Sequence, residues 1–262
     1  MKLNLKLITG LIVFSLFFLG FSPKQSKILM AGDSTMADKV LSKSVFDSVS
    51  GKTVEVPFLE RGWGMLLPRL INDKAIVKNY AKNGRSTRTF IQEGLWEELI
   101  TNTGKDDYVI IQFGHNDSSI SKGERYTNPM QFRMNFIAFI QDVKAKGATP
   151  ILCTPVARRK FDKAGKLVPT HGVYPDIIRE VARQQHVPLI DMEKLTSEWL
   201  IAEGVENSKK YFHKFKPGES LLYPNGLDDN THFNEQGAII VAKLFVNEVK
   251  KQKIKGIKKL FL

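Results

Sequence analysis

A chain of 262 residues with 42% hydrophobic residues is long enough for one α/β domain with a full core, and its composition is that of an ordinary globular protein, not a disordered one. A single cysteine, Cys153, excludes an intrachain disulfide framework. The net charge is +12, but no nucleic-acid motif accompanies it, and much of the excess sits in the last dozen residues, so a nucleic-acid partner is set aside.

The first segment, 1–22, reads as a secretory signal. Lys2 and Lys6 precede the apolar run Leu7 to Phe21, which is shorter than a comfortable membrane span. Gly20 and Ser22 are spaced for cleavage, but Pro23 follows directly, so an uncleaved run would serve as an N-terminal anchor. The expected location is periplasmic or secreted. A domain over 23–250 follows, and 251–262 form a basic tail.

Five short apolar runs have the length and composition of buried strands: Lys27–Ala31, Ala75–Ala81, Tyr108–Phe113, Thr149–Thr154 and Val187–Asp191. Cys153 lies within the fourth and reads as a core residue. Helices are expected over Thr89–Ile100, Met130–Lys146, Tyr174–Gln185, Glu193–Glu203 and Glu235–Val249. Phe132, Phe136, Phe139, Ile140 and Val143 repeat at helical spacing and mark a core stripe. Strands alternating with helices imply a parallel sheet covered on both faces. Two insertions, about 37–59 and 207–225, lack clear periodicity; long loops at the carboxyl ends of such strands shape sites.

The chemistry collects at strand ends. The first strand runs into Gly32-Asp33-Ser34-Thr35-Met36. A serine there becomes a nucleophile if a base reaches it, and otherwise caps the next helix. Near the far end, Asp229-Asn230-Thr231-His232 offers an acid and an imidazole three residues apart, before a helix. Between them Gly84 and Gly114-His115-Asn116-Asp117 each follow another strand.

These four blocks, in this order, resemble the signature blocks of the SGNH/GDSL hydrolases, and they span nearly all of the chain after the signal segment. Gly32-Asp33-Ser34-Thr35, Gly62-Trp63-Gly64, Thr154 to Arg158 and His171-Gly172 are similar to the rhamnogalacturonan acetylesterase branch. The Gly-x-Ser-x-Gly elbow of α/β-hydrolases is absent. The resemblance implies a three-layer α/β/α, flavodoxin-like fold with five parallel strands in the order 2-1-3-4-5. It also implies a serine esterase: Ser34 as nucleophile, His232 as base and Asp229 as orienter. The oxyanion donors would be the backbone N–H of Ser34, that of Gly84, and the side-chain amide of Asn116. The implied substrate is an acetylated polysaccharide, rhamnogalacturonan or pectin first, xylan or a lipid-like ester as alternatives. A carbohydrate-binding protein without catalysis is the rival outside enzymes.

Other residues carry two readings each. Asn116 either donates to an oxyanion or closes a turn. Asp33, Asn83 and Asp117 read as ties of their loops to neighbouring backbone, and His115 either lines the site or is a satisfied histidine behind it, the latter being preferred. Asp228 competes with Asp229, but only Asp229 has the three-residue spacing to His232. Trp63 is a packed indole or a wall beside the serine. Arg85, Arg88, Arg158 and Arg159 are solvated or grip a substrate carboxylate, and His171 is a further substrate-contact candidate. His213, Asp228, Asp229 and His232 match no zinc spacing, so no metal and no cofactor is expected. The tail is either solvated or a contact to an anionic membrane surface. Nothing in the sequence sets the oligomeric state.

Overall fold

The computed structural model describes residues 25–262. The expected signal segment, 1–22, lies outside the described residues.

Strands and helices alternate as the periodicity implies. In chain order they are β1 (Ser26–Gly32), β2 (Ser42–Asp47), β3 (Lys52–Pro57), α1 (Trp63–Leu66), β4 (Ala75–Asn79), α2 (Thr87–Gln92), α3 (Leu95–Thr101) and β5 (Tyr108–Gln112). Then come α4 (Pro129–Ala145), β6 (Thr149–Cys153), α5 (Tyr174–Gln185), β7 (Leu189–Ile190), α6 (Met192–Asn207), β8 (Phe212–Phe215), β9 (Leu227–Phe233) and α7 (Glu235–Lys251). The five parallel strands pair in the order β4-β1-β5-β6-β7, which is the expected 2-1-3-4-5.

Alternate residues of each strand feed opposite faces. Ile28, Met30, Ile110, Ile151 and Cys153 face one core with Trp63, Leu66, Met192, Val241 and Phe245, from α1, α6 and α7. Leu29, Ala31, Val109, Ile111 and Leu152 face the other, with Phe90, Leu99, Ile178 and the α4 stripe, Phe132, Phe136, Phe139, Ile140 and Val143. Burial on both faces explains why the central strands read as unbroken apolar runs. Cys153 is fully buried, and burial pushes its thiol up, away from reactivity.

Three expectations need correction. The helix expected over Thr89–Ile100 is two helices, because Gly94 adopts φ +72° between α2 and α3. The insertions are not structureless: the first holds the β2–β3 hairpin, and the second supplies β8, which pairs with β9. Most important, the domain does not end at residue 250. Ile254, Ile257, Leu260 and Phe261 are buried in the core that α7 covers, and Ile71 bridges Phe261. Lysines mask this pattern in the sequence, but they point outward while every apolar residue between them points in.

The sheet reverses its order of growth at β1: β4 adds on one side, β5 on the other. Open α/β sheets bind ligands outside the carboxyl ends of strands at that point.

Candidate active site

The turn after β1 is held rigidly from below. Asp33 Oδ1 accepts the backbone N–H of Thr35 (3.0 Å) and its hydroxyl (2.8 Å). Gln112 Nε2 donates to Thr35 Oγ1 (2.9 Å), and Trp63 Nε1 donates to Gln112 Oε1 (3.0 Å). A Cβ on Gly62 would sit 2.2 Å from Ala37 O, and one on Gly64 2.6 Å from Met36 O, so both glycines are required for α1 to press against this turn. Trp63 is therefore an anchor of the turn and not a wall of the site. It is fully buried, 5.2 Å from Phe245.

Ser34 Oγ lies 2.8 Å from His232 Nε2, and His232 Nδ1 lies 2.7 Å from Asp229 Oδ2. The other Asp229 oxygen accepts the backbone N–H groups of Thr231 (2.7 Å) and His232 (3.0 Å). Both residues sit on β9, not on a free loop, and pairing with β8 holds that strand in place. Asp228, the rival acid, is exposed and pairs with Lys214 instead. Burial raises the Asp229 pKa, but the hydrogen bond and charge of His232 and the two N–H groups outweigh it and hold the carboxyl at about 2. Burial likewise pushes His232 down. The Asp229 hydrogen bond and charge, with the charge of Glu60, overcome this and raise the imidazole above its ordinary value.

Across from Ser34 stand Gly84, after β4, and Asn116, after β5. Asn116 Nδ2 donates one N–H to Arg85 O (2.9 Å), which fixes the amide and leaves its second N–H to donate elsewhere. Asp117 Oδ1 accepts from Thr87 N (2.9 Å) and Thr87 Oγ1 (2.6 Å), tying this loop to α2. Gly84 has φ +76°, and a Cβ there would meet the Arg125 guanidinium at 3.0 Å. The backbone N–H groups of Ser34 and Gly84 have no hydrogen-bond partner among the described residues. A serine paired to an imidazole–carboxylate, facing three such donors, can attack a carbonyl and stabilise the oxyanion that results.

These groups line a pocket of about 430 Å³. Its walls hold Glu60, Asn83, His115, Lys122, Arg125, Arg158 and Thr231, and no apolar side chain. Among the described residues no carboxylate lies within ion-pair distance of Lys122, Arg125 or Arg158. Arg158 is held by neutral oxygens, His115 O at 3.1 Å and Thr170 Oγ1 at 3.3 Å. Among the described residues no three His, Cys, Asp or Glu side chains gather as a metal site.

The structure separates the remaining candidates. Of the four arginines only Arg158 reaches the pocket. Arg85 turns away to Glu93 (2.8 Å), because that carboxylate, at the C-terminal end of α2, captures it. Arg159 is consumed by Ser208 Oγ (2.9 Å), Asn230 Oδ1 (2.8 Å) and Val205 O. Arg88 borders a different depression beside Tyr126. His171 is also not a wall of this pocket: it lies behind His115, with Nε2 3.0 Å from His115 Nδ1. His115 does line the pocket, and its Nε2 has no partner among the described residues, so of its two readings the less favoured one, a wall of the site, holds.

Sequence reasoning missed Glu60, Lys39, Lys122 and Arg125. Glu60 Oε1 holds the buried Lys39 Nζ at 2.6 Å, and that ammonium also donates to Asn83 Oδ1. Lys39 lies near the start of the first insertion and Glu60 just past its end, and Lys122 and Arg125 lie on a short 3₁₀ segment, Ile120–Arg125. The one available signal was the density of cations after the Gly114 block.

The profile of the GDSL-like Lipase/Acylhydrolase family matches residues 31–239. The chain is 37% identical to the rhamnogalacturonan acetylesterase RhgT of Bacillus subtilis (strain 168), over 84% of this chain and 88% of that protein. Among solved structures it resembles the YXIM protein of Bacillus subtilis, with TM-score 0.70 and 28% identity, covering 89% of this chain and 58% of that longer one. It also resembles Axe2, an acetylxylan esterase from Geobacillus stearothermophilus, with TM-score 0.60, 16% identity, and coverage of 86% and 94%. The last is a likeness of fold alone.

Proposed function

The chain belongs to the GDSL-like lipase/acylhydrolase family and is a carboxylic ester hydrolase of the SGNH carbohydrate-acetylesterase type, and on that premise we propose that it removes acetyl groups from rhamnogalacturonan or a closely related pectin. The observation that carries this reading is the Ser34–His232–Asp229 chain on the floor of a pocket whose cations lack carboxylate partners.

In this reading Ser34 Oγ attacks the acetyl carbonyl as His232 Nε2 takes its proton. Asp229 holds the opposite imidazole nitrogen and stabilises the imidazolium. The oxyanion is met by the N–H groups of Ser34 and Gly84 and the amide of Asn116. His232 then returns the proton to the departing sugar hydroxyl, and a water molecule activated by the same imidazole releases acetate. Lys122, Arg125 and Arg158 supply the charge that a uronic acid carboxylate needs. The charged start and apolar run of residues 1–22 support export as part of the same proposal.

The test is acetate release from acetylated rhamnogalacturonan, acetylated xylan and 4-nitrophenyl acetate. Wild type should favour the uronate polymer, and Ser34→Ala should lose all three activities. Arg158→Gln should raise KM for the uronate polymer and leave 4-nitrophenyl acetate unaffected. A preference for xylan, with Arg158→Gln silent, would replace the pectin reading.

A further inference from the structure

The chain that follows α7 closes off the amino ends of the sheet. In the turn before β4, Asn72 N donates to Leu260 O (2.9 Å) and Asn72 Nδ2 to Lys259 O (2.8 Å). Ile71 bridges Phe261, and a Cβ on Gly256 would strike the Tyr108 hydroxyl at the start of β5. Because Ile254, Ile257, Leu260 and Phe261 turn into the core, Lys253, Lys255, Lys258 and Lys259 are all left exposed. Lys74 and Lys105, in the turns that lead into β4 and β5, are exposed at the same end. Among the described residues none of these six lysines has a carboxylate within ion-pair distance. The exposed acids in the turns into β4 and β5 are Asp73 and Asp106, too few to neutralise the face.

This face lies opposite the catalytic one. Parallel pairing brings the carboxyl ends of the strands, with Ser34, Gly84 and Asn116 beyond them, to one side and every amino end to the other. The chain also enters the domain on the lysine side. Gln25 Nε2 donates to Asp73 O (2.6 Å), and Ser26 N donates to Lys74 O (3.0 Å). The apolar run Leu7 to Phe21 therefore precedes the domain by a few residues at its cationic end. An apolar segment joined to a basic patch is the pairing of signals that holds a protein on a bilayer, and lysines are drawn to anionic headgroups within a Debye length. A polyuronate would attract the same lysines, but there it would be held at the end of the molecule away from Ser34.

We infer that the lysine face at the amino ends of the strands seats on an anionic bilayer surface, with the catalytic pocket turned away from the lipid toward its polymer. The inference rests on the export proposed above and not on the choice of polymer. The folded carboxyl-terminal segment is then the sole of the enzyme and not a loose tail.

The experiment measures partition of the full chain onto vesicles of phosphatidylglycerol mixed with phosphatidylcholine, and onto phosphatidylcholine alone. An apolar anchor adds to both, so the ratio of the two reports the lysines. Wild type should favour the anionic vesicles by about tenfold or more, and the ratio should fall toward one at about 1 M salt, where the Debye length is about 3 Å. Exchanging Lys253, Lys255, Lys258 and Lys259 together for glutamine should collapse the ratio. Exchanging Lys52, Lys160, Lys163 and Lys166, which are exposed on the β2–β3 hairpin and on the loop after β6, removes the same charge from the other end of the sheet and should leave it nearly intact. Vesicle-bound wild type should keep its 4-nitrophenyl acetate hydrolysis. Equal effects of the two exchanges would reduce the attraction to net charge and overturn the seating. So would a ratio near one in wild type, or soluble polygalacturonate binding to these four lysines where the vesicles do not. Fractionation of cells tests export separately: recovery in the cytoplasm would refute that reading, and the outward-facing enzyme with it, even where vesicles are bound.

Discussion

His232 Nδ1 lies 2.7 Å from Asp229 Oδ2, and the other oxygen of that carboxylate is engaged by the backbone N–H groups of Thr231 and His232. The carboxylate cannot swing without breaking three hydrogen bonds, so the imidazole is aimed at Ser34 before substrate arrives. This arrangement raises the His232 pKa, and only the neutral imidazole can take the serine proton. The kcat/KM profile should therefore fall on the acid side through a pKa above that of an ordinary histidine. Asp229→Asn removes the carboxylate hydrogen bond and charge that do most to raise it, leaving only the Glu60 charge against burial, which lowers it. The acid limb should move to lower pH while the maximal kcat drops by about 10⁴-fold. An unmoved limb in the pH–rate profile of the variant would show that Asp229 does not set the base.

Asn116 offers a separate measurement. One N–H of its amide is spent on Arg85 O, so the side chain is oriented whether or not substrate is bound. As an oxyanion donor it acts on the transition state more than on the ground state. Asn116→Ala should lower kcat by roughly 10²–10³-fold with little change in KM. A normal kcat with a raised KM, in steady-state kinetics on 4-nitrophenyl acetate, would make Asn116 a substrate contact instead.

The parallel sheet was legible because β1, β5 and β6 are buried on both faces and so appear as unbroken apolar runs. Ser34, Gly84, Asn116, Asp229 and His232 were legible because each follows or lies near a strand end in a short recognisable block. What was not legible depends on contacts between distant residues. Trp63 has the composition of a binding wall, and only its bond to Gln112, 49 residues away, shows it to be a buried brace. Arg85 and Arg158 are equivalent in sequence; the presence of Glu93 beside one and of only neutral oxygens beside the other separates them. Lys39 and Glu60 meet because the intervening chain folds into the β2–β3 hairpin, whose largely exposed strands do not read as buried runs.

The carboxyl-terminal segment reverses a simple expectation from charge. As a solvated tail it should be dispensable. The structure instead buries Ile254, Ile257, Leu260 and Phe261. Burying such side chains contributes about 1.5–3 kcal/mol each, and four of them amount to a large part of the roughly 5–15 kcal/mol that holds a domain folded. Deleting residues 253–262 should yield an insoluble protein or a Tm lowered by well over about 10 °C. Exchanging Lys253, Lys255, Lys258 and Lys259 together for glutamine should leave Tm and esterase activity nearly unchanged, since these side chains are exposed. Thermal melts of the two proteins decide the point; a truncated chain that melts like wild type would mean that the segment only rests on the domain.

Acyl-chain selectivity follows from the same pocket. An acyl group longer than acetyl must extend past the oxyanion donors, and there it finds Asn83, His115, Lys122, Arg125 and Arg158. An aliphatic pocket would reward each added methylene by roughly 1–3 kcal/mol. This wall carries no aliphatic residue, and an alkyl chain laid on it would strip water from Lys122, Arg125 and Arg158 without replacing the lost hydrogen bonds. The Arg125 guanidinium, 3.0 Å from where a Gly84 Cβ would stand, also limits the depth beside the donors. Selectivity for acetate thus comes from charge and shallow depth, not from closure by Trp63. We expect kcat/KM to fall from 4-nitrophenyl acetate to butyrate to octanoate, with the leaving group held constant so that the trend reports the acyl side alone. Replacing Arg125 with methionine supplies a flexible aliphatic surface at that position and should flatten the decline, raising butyrate relative to acetate. A rise in kcat/KM from acetate to octanoate in the wild-type enzyme would contradict the polar acyl pocket and favour a lipase-like acyl hydrolase.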